Sequence, residues 1–154
     1  MKRGFTLLEL VVVIVIIGVL ATLGIATYTR MIERARGAEA KQVLGAIRTQ
    51  AAALYIGNNN VIPTPPVGST FNDMMGVGLL VGQISSTCSA IGSGPQYYFS
   101  YSAVRNSPIQ WTGTATRCVG AGVGKQPSGP AAMTLTLVSD FTAGTDVWGG
   151  NGGY

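Results

Sequence analysis

Residues able to do chemistry are scarce in this chain. Its 154 residues include no histidine, so neither an imidazole-activated nucleophile nor a histidine-based metal site can be built. No Gly-Lys-Ser/Thr loop is present to cradle a phosphate, and the Gly-x-Gly pairs sit in loop-like composition. Asp73, Asp140 and Asp146 are scattered without the spacing of a calcium loop and read as solvated surface. The expectation is no catalytic set, no metal and no cofactor. Three residues are left to account for: Glu9, at the lip of an apolar run, and the cysteines Cys88 and Cys118. Each takes its meaning from the element that carries it.

The run beside Glu9 extends from Leu10 to Thr29 without a charge. A helix of that length, at about 1.5 Å per residue, spans roughly 30 Å, the thickness of a bilayer's hydrocarbon core. Each Leu, Ile or Val contributes roughly 0.3 to 0.6 kcal/mol towards insertion, so the run as a whole favours a membrane helix. Lys2 and Arg3 precede it, which keeps that end cytoplasmic and sends the C-terminal bulk across the membrane. Glu9 itself has two readings. One is an interfacial carboxylate near headgroup water, favoured by the helix N-terminus; the other is a charge retained for a purpose.

The letters around Glu9 bear on the second reading. Lys2-Arg3-Gly4 followed by Phe5-Thr6-Leu7-Leu8-Glu9 resembles the class III signal of type IV pilins and pseudopilins. An ordinary secretory signal loses its apolar core on cleavage, whereas here the basic head is the removable part. The resemblance implies that a prepilin peptidase cuts between Gly4 and Phe5 and that Phe5 is N-methylated. It further implies assembly by inner-membrane machinery into a helical homo-oligomer, an extracellular filament. There the Glu9 carboxylate would meet the terminal cation of Phe5 on a neighbouring subunit, offsetting the cost of burying a lone charge. Type IV pilins commonly carry a proline, associated with a melted stretch in filaments, at the place Ala26 occupies here. Without it, Gly24 is left as the soft point of the helix.

On this reading residues 1–4 are a cleaved leader and residues 5–29 a hydrophobic helix, first in lipid and then in a filament core. Residues 30–154 form one small globular head. The formal charge of +4 includes both leader cations, too weak a balance to make nucleic acid a direct ligand. The 22 glycines and small charged fraction suit an extracellular, loop-rich protein.

The helix is expected to run from 5 to 57, with its second half amphipathic. Ala40, Val43, Ile47, Ala51 and Leu54 make one stripe, and Arg34, Lys41 and Arg48 another. Gly57 followed by Asn58-Asn59-Asn60 supplies the stop. Residues 58–95, with Pro63, Pro65 and Pro66, read as a long structured loop holding a helical turn within 71–84. From Gln96 the period becomes two. Tyr97, Phe99 and Tyr101 alternate with Tyr98, Ser100 and Ser102, and Tyr98 is the one to watch for an outward role. A turn at Asn106-Ser107-Pro108 leads to a strand with Thr112, Thr114 and Thr116 opposite Ile109, Trp111 and Ala115. Met133, Leu135 and Leu137 mark a third strand, and the tail with Trp148 and Tyr154 is either a flexible end or a contact ordered between subunits. The fold class is therefore α+β: a long N-terminal helix packed on a small antiparallel sheet of about three or four strands. In a head exported to an oxidising space, Cys88 and Cys118 are expected to form a disulfide closing about 30 residues, contributing roughly 3 to 4 kcal/mol.

The leading function is a type IV pilus subunit that is not an enzyme. The alternatives are a secretion pseudopilin or minor pilin and, less supported, a single-span membrane enzyme.

Overall fold

The computed structural model describes residues 5–65, 88, 97–120, 124 and 131–151. One helix, α1 (Leu7–Gly57), is followed by four strands: β1 (Phe99–Ser107), β2 (Gln110–Arg117), β3 (Thr134–Asp140) and β4 (Thr145–Gly149). The strands form one antiparallel sheet in the order β1-β2-β3-β4. The architecture is α+β, as the periodicities predict. The chain divides into two compact units, Met1–Ala35 and Arg36–Tyr154.

Within the second unit, α1 packs on the sheet through Ala40, Leu44, Ile47 and Ala51, all fully buried. Val43 and Leu54, expected in the stripe, lie at its margin, and Leu44 takes the central place. The 40/44/47/51 spacing keeps one narrow face inward. Opposite it stand Phe99, Tyr101 and Ala103 of β1, Trp111 and Ala115 of β2, and Leu135 and Leu137 of β3. Each large apolar side chain removed from water here supplies about 1.5 to 3 kcal/mol before entropy is counted. Gly113 lets the Trp111 ring lie flat, since a Cβ there would come within 2.5 Å of Trp111 Cζ3 and 3.0 Å of Leu44 Cδ2.

The helix stops where expected. Asn59 and Asn60 take positive φ values of 52° and 60°, the left-handed region that Asn tolerates better than most residues. Asn58 Nδ2 donates to the Val61 carbonyl at 3.1 Å. Ile62 is then buried, its N–H donating to Pro108 O and its carbonyl accepting from Arg105 Nε at 2.8 Å. The expected turn within 71–84, with Pro66 and Asp73, lies outside the described residues, as does Tyr154.

Three details of the sheet differ from the pattern reading. The alternation places Ile109 on the packed face of β2, yet it sits in the two-residue turn between β1 and β2 and is 36% exposed. The packed face starts at Trp111, because β1 continues to Ser107 with an irregularity between Arg105 and Ser107. The tail is neither a flexible end nor an unpaired contact over 145–149: it forms β4, with Trp148 opposite Leu137 and Asp146 opposite Ser139. The turn into β4 is built by Asp140, whose Oδ1 accepts from the Thr142 and Ala143 N–H groups at 3.0 and 2.9 Å, while Gly144 supplies φ 65°.

Candidate functional site

At the N-terminus, Glu9 is held by Thr6 in one small structure. Thr6 is the N-cap of α1 and Glu9 the third residue of its first turn. The Glu9 carboxylate reaches back so that Oε2 accepts from the Thr6 N–H at 2.9 Å and the Thr6 hydroxyl at 2.8 Å. In return the Glu9 N–H donates to Thr6 Oγ1 at 3.3 Å. This is a reciprocal capping box, which satisfies donors that the start of a helix would otherwise leave open. Phe5 and Leu10 stand at the two positions a hydrophobic staple uses. Thr6 was missed in the sequence reading, although Thr-x-x-Glu directly before an apolar run is its signature.

A carboxylate at the mouth of an apolar helix is already solvated by its own chain, which reduces the cost of leaving water. Phe5 immediately precedes the cap residue, at the end of the helix whose first turn holds the acid Glu9. Gly4, the other half of the expected cleavage site, lies outside the described residues.

Beyond the cap, side chains from Leu10 to Ile25 and from Thr27 to Arg30 are all exposed. Two hydroxyls in this run are satisfied within the helix: Thr22 Oγ1 donates to the Val19 carbonyl at 2.8 Å and Thr27 Oγ1 to the Leu23 carbonyl at 3.0 Å. Gly18 and Gly24 have nothing near the position a Cβ would take, and α1 is unbroken through Gly24. Among the described residues, α1 is the one helix long and apolar enough to cross a membrane.

The cysteines meet as expected: Cys88 and Cys118 are joined by a disulfide, with Cα atoms 5.7 Å apart. Cys118 directly follows β2, so the bond ties that strand's end to a position 30 residues earlier. Gly124, at φ 67°, packs against it; a Cβ there would lie 2.5 Å from Cys118 Cβ. Nearby, the Tyr98 ring carries Arg36 at 4.3 Å and Arg117 at 5.1 Å from its centroid. Arg117 is buried and donates to the Tyr98 carbonyl at 2.9 Å. Tyr98 is thus half-buried against the core with two cations on its ring, and is not an outward stacking platform. Arg48, from the basic stripe, pairs with Asp146 at 2.9 Å. Burial pushes the Asp146 carboxyl up, but the Arg48 guanidinium beside it outweighs that and holds it below the usual carboxylate range.

Comparison with known proteins bears on the N-terminal segment. Residues 1–25 match the family pattern described as the prokaryotic N-terminal methylation motif, the class III signal peptide of the type IV pilin and pseudopilin family. No solved structure matches the chain.

Proposed function

We propose that this chain, which carries the class III signal of the type IV pilin and pseudopilin family, is the major subunit of a type IV pilus. The observation that carries the reading is the capped apolar helix behind the methylation motif, with every described side chain from Leu10 to Arg30 open to its surroundings. Such a surface demands an apolar environment, lipid before assembly and other copies of the helix after it. Cleavage between Gly4 and Phe5 removes the leader 1–4, and methylation falls on the new amine of Phe5. Residues 5–29 then serve as transmembrane segment and filament core, and residues 30–154 as the extracellular head.

Glu9 acts twice in this scheme. Its capping contacts hold it in the single subunit. On assembly it faces the Phe5 amine of a neighbour, which neutralises it and fixes the register of one helix against the next. The motif belongs to a structural family, and a head made of a helix face, a meander sheet and a disulfide suits a building block rather than a catalyst.

The test is the composition of filaments sheared from cells. Filaments made mainly of this chain, beginning at N-methylated Phe5, establish the major subunit. A trace amount identifies a minor pilin, and absence from surface filaments identifies a secretion pseudopilin.

A further inference from the structure

At the end of the apolar run and directly after it, Tyr28, Arg30, Met31 and Arg34 are exposed on α1. Arg30 and Arg34 are four residues apart and so share a helix face. Neither guanidinium has a hydrogen bond or ion pair with any described residue. Arg36, two positions on, is by contrast laid over the Tyr98 ring. The nearby acid is Glu33, so the segment keeps a positive balance. Of the acids on the sheet, Asp140 caps its own turn and Asp146 holds Arg48.

We propose that Arg30 and Arg34 grip the phosphates of anionic phospholipids at the membrane face where the apolar run ends, anchoring the unassembled subunit. The inference rests on the membrane-resident reading of residues 5–29. At about 1.5 Å per residue, Arg30 lies roughly 1.5 Å and Arg34 roughly 7.5 Å beyond Thr29 along the helix. The headgroup layer is about 5 to 8 Å deep on each side, and arginine stems let their heads adjust to it. Tyr28, 65% exposed, stands at the depth where aromatic side chains favour the interface. Two adjacent forked donors match phosphate oxygens, and two are too few to hold a nucleic acid.

Processing gives the pair its importance. Lys2 and Arg3 hold the opposite end of the helix until the leader is removed. That end then keeps only the Phe5 amine, balanced by Glu9, whereas Arg30 and Arg34 stay. Cleavage therefore leaves the outer face as the site of electrostatic anchoring, and extraction into a filament begins by releasing these two arginines from lipid.

The test reconstitutes the full chain in phosphatidylcholine vesicles and measures, by electron spin resonance, the preference of its immobilised lipid shell for spin-labelled phosphatidylglycerol over phosphatidylcholine. The preference should exceed one, fall roughly threefold to tenfold in the Arg30→Gln/Arg34→Gln double variant and weaken in high salt. Lys41→Gln, further along the helix, should leave it unchanged. An unchanged preference in the double variant overturns the anchor while leaving the membrane helix standing. Loss of filaments in that variant with lipid preference intact also overturns it, assigning the arginines to a neighbouring subunit instead. Absence of any immobilised lipid shell around the parent chain overturns the membrane reading and the anchor with it.

Discussion

The two units of this chain use the same residue types in opposite ways. In the head, apolar side chains at 40, 44, 47 and 51 find partners on the sheet of the same molecule and disappear from water. In the N-terminal segment, Leu, Ile and Val are denser, yet those described from Leu7 to Ile25 are all exposed. The head is a core completed within one chain; the N-terminal segment, on the function proposed above, is half of a core that other molecules complete. Burial separates the two where composition alone does not, and perturbations should therefore act on them differently.

The largest effect should come from the disulfide. Replacing Cys88 and Cys118 by serine should cost about 3 to 4 kcal/mol, seen as a lower unfolding temperature of the head in detergent, with the helical signal of the N-terminal segment retained. A comparable loss of helix at both ends would mean that the two regions are not independently stabilised.

Glycine substitutions sharpen the contrast because they should change sign. Gly113→Ala pushes a methyl into Trp111 and Leu44 and should destabilise the head by about 1 to 3 kcal/mol in denaturant titration. Gly18→Ala and Gly24→Ala meet nothing and should favour helix by up to about 1 kcal/mol each. If Gly24 is the soft point in a filament, Gly24→Ala should also reduce filament yield; a yield equal to wild type removes that role.

Glu9 separates capping from charge. Thr6→Ala should cost about 1 kcal/mol of helix start, read by hydrogen exchange at residues 7–10. Glu9→Gln keeps an acceptor for Thr6 and removes the charge, while Glu9→Val removes both. Equal failure of both variants to form filaments indicates that charge sets the register; assembly by Glu9→Gln alone indicates that the cap does.

The smallest effects are pH-dependent and confined to the head. Asp146, held below its ordinary range by Arg48 against the pull of burial, contributes stability that is present above the unfolded carboxylate range near pH 4 and is lost as pH falls below it. With Arg48 and Asp146 both partly solvated, the contribution should be about 0.2 to 1 kcal/mol. Burial, and secondarily the charge of Glu39, raises the Tyr101 phenol well above its usual range. The unfolded chain can then release that proton above about pH 10 while the folded head cannot, so head stability should fall with alkalinity. Tyr101→Phe should remove that alkaline slope.

Much of this organisation is legible in the residues themselves. The switch from a continuous apolar run to a spaced stripe follows Tyr28, with the first buried helix residue at Gly37, and Gly57 with its asparagines marks the helix end. Alternation at Phe99/Tyr101 and Leu135/Leu137 marks the inward sheet face. What escaped had local causes. Leu44 competes with Val43 for one stripe, and only the sheet opposite decides between them. β4 follows an Asp-led turn closing on Gly144, but its side chains are all exposed, so no buried periodicity announces it. Ile109 is an apolar residue in a turn, which hydrophobicity alone places on the wrong face.

The central claim is that the apolar face left open in one chain is closed by other copies. It is tested most directly by single cysteines placed along the helix and in the head of filaments, since the native cysteines among the described residues are paired. Val13→Cys and Leu20→Cys should resist a water-soluble maleimide in intact filaments, while Val147→Cys, on a strand exposed in the single chain, should react readily. Labelling of positions 13 and 20 as fast as position 147 would contradict burial of the helix on assembly.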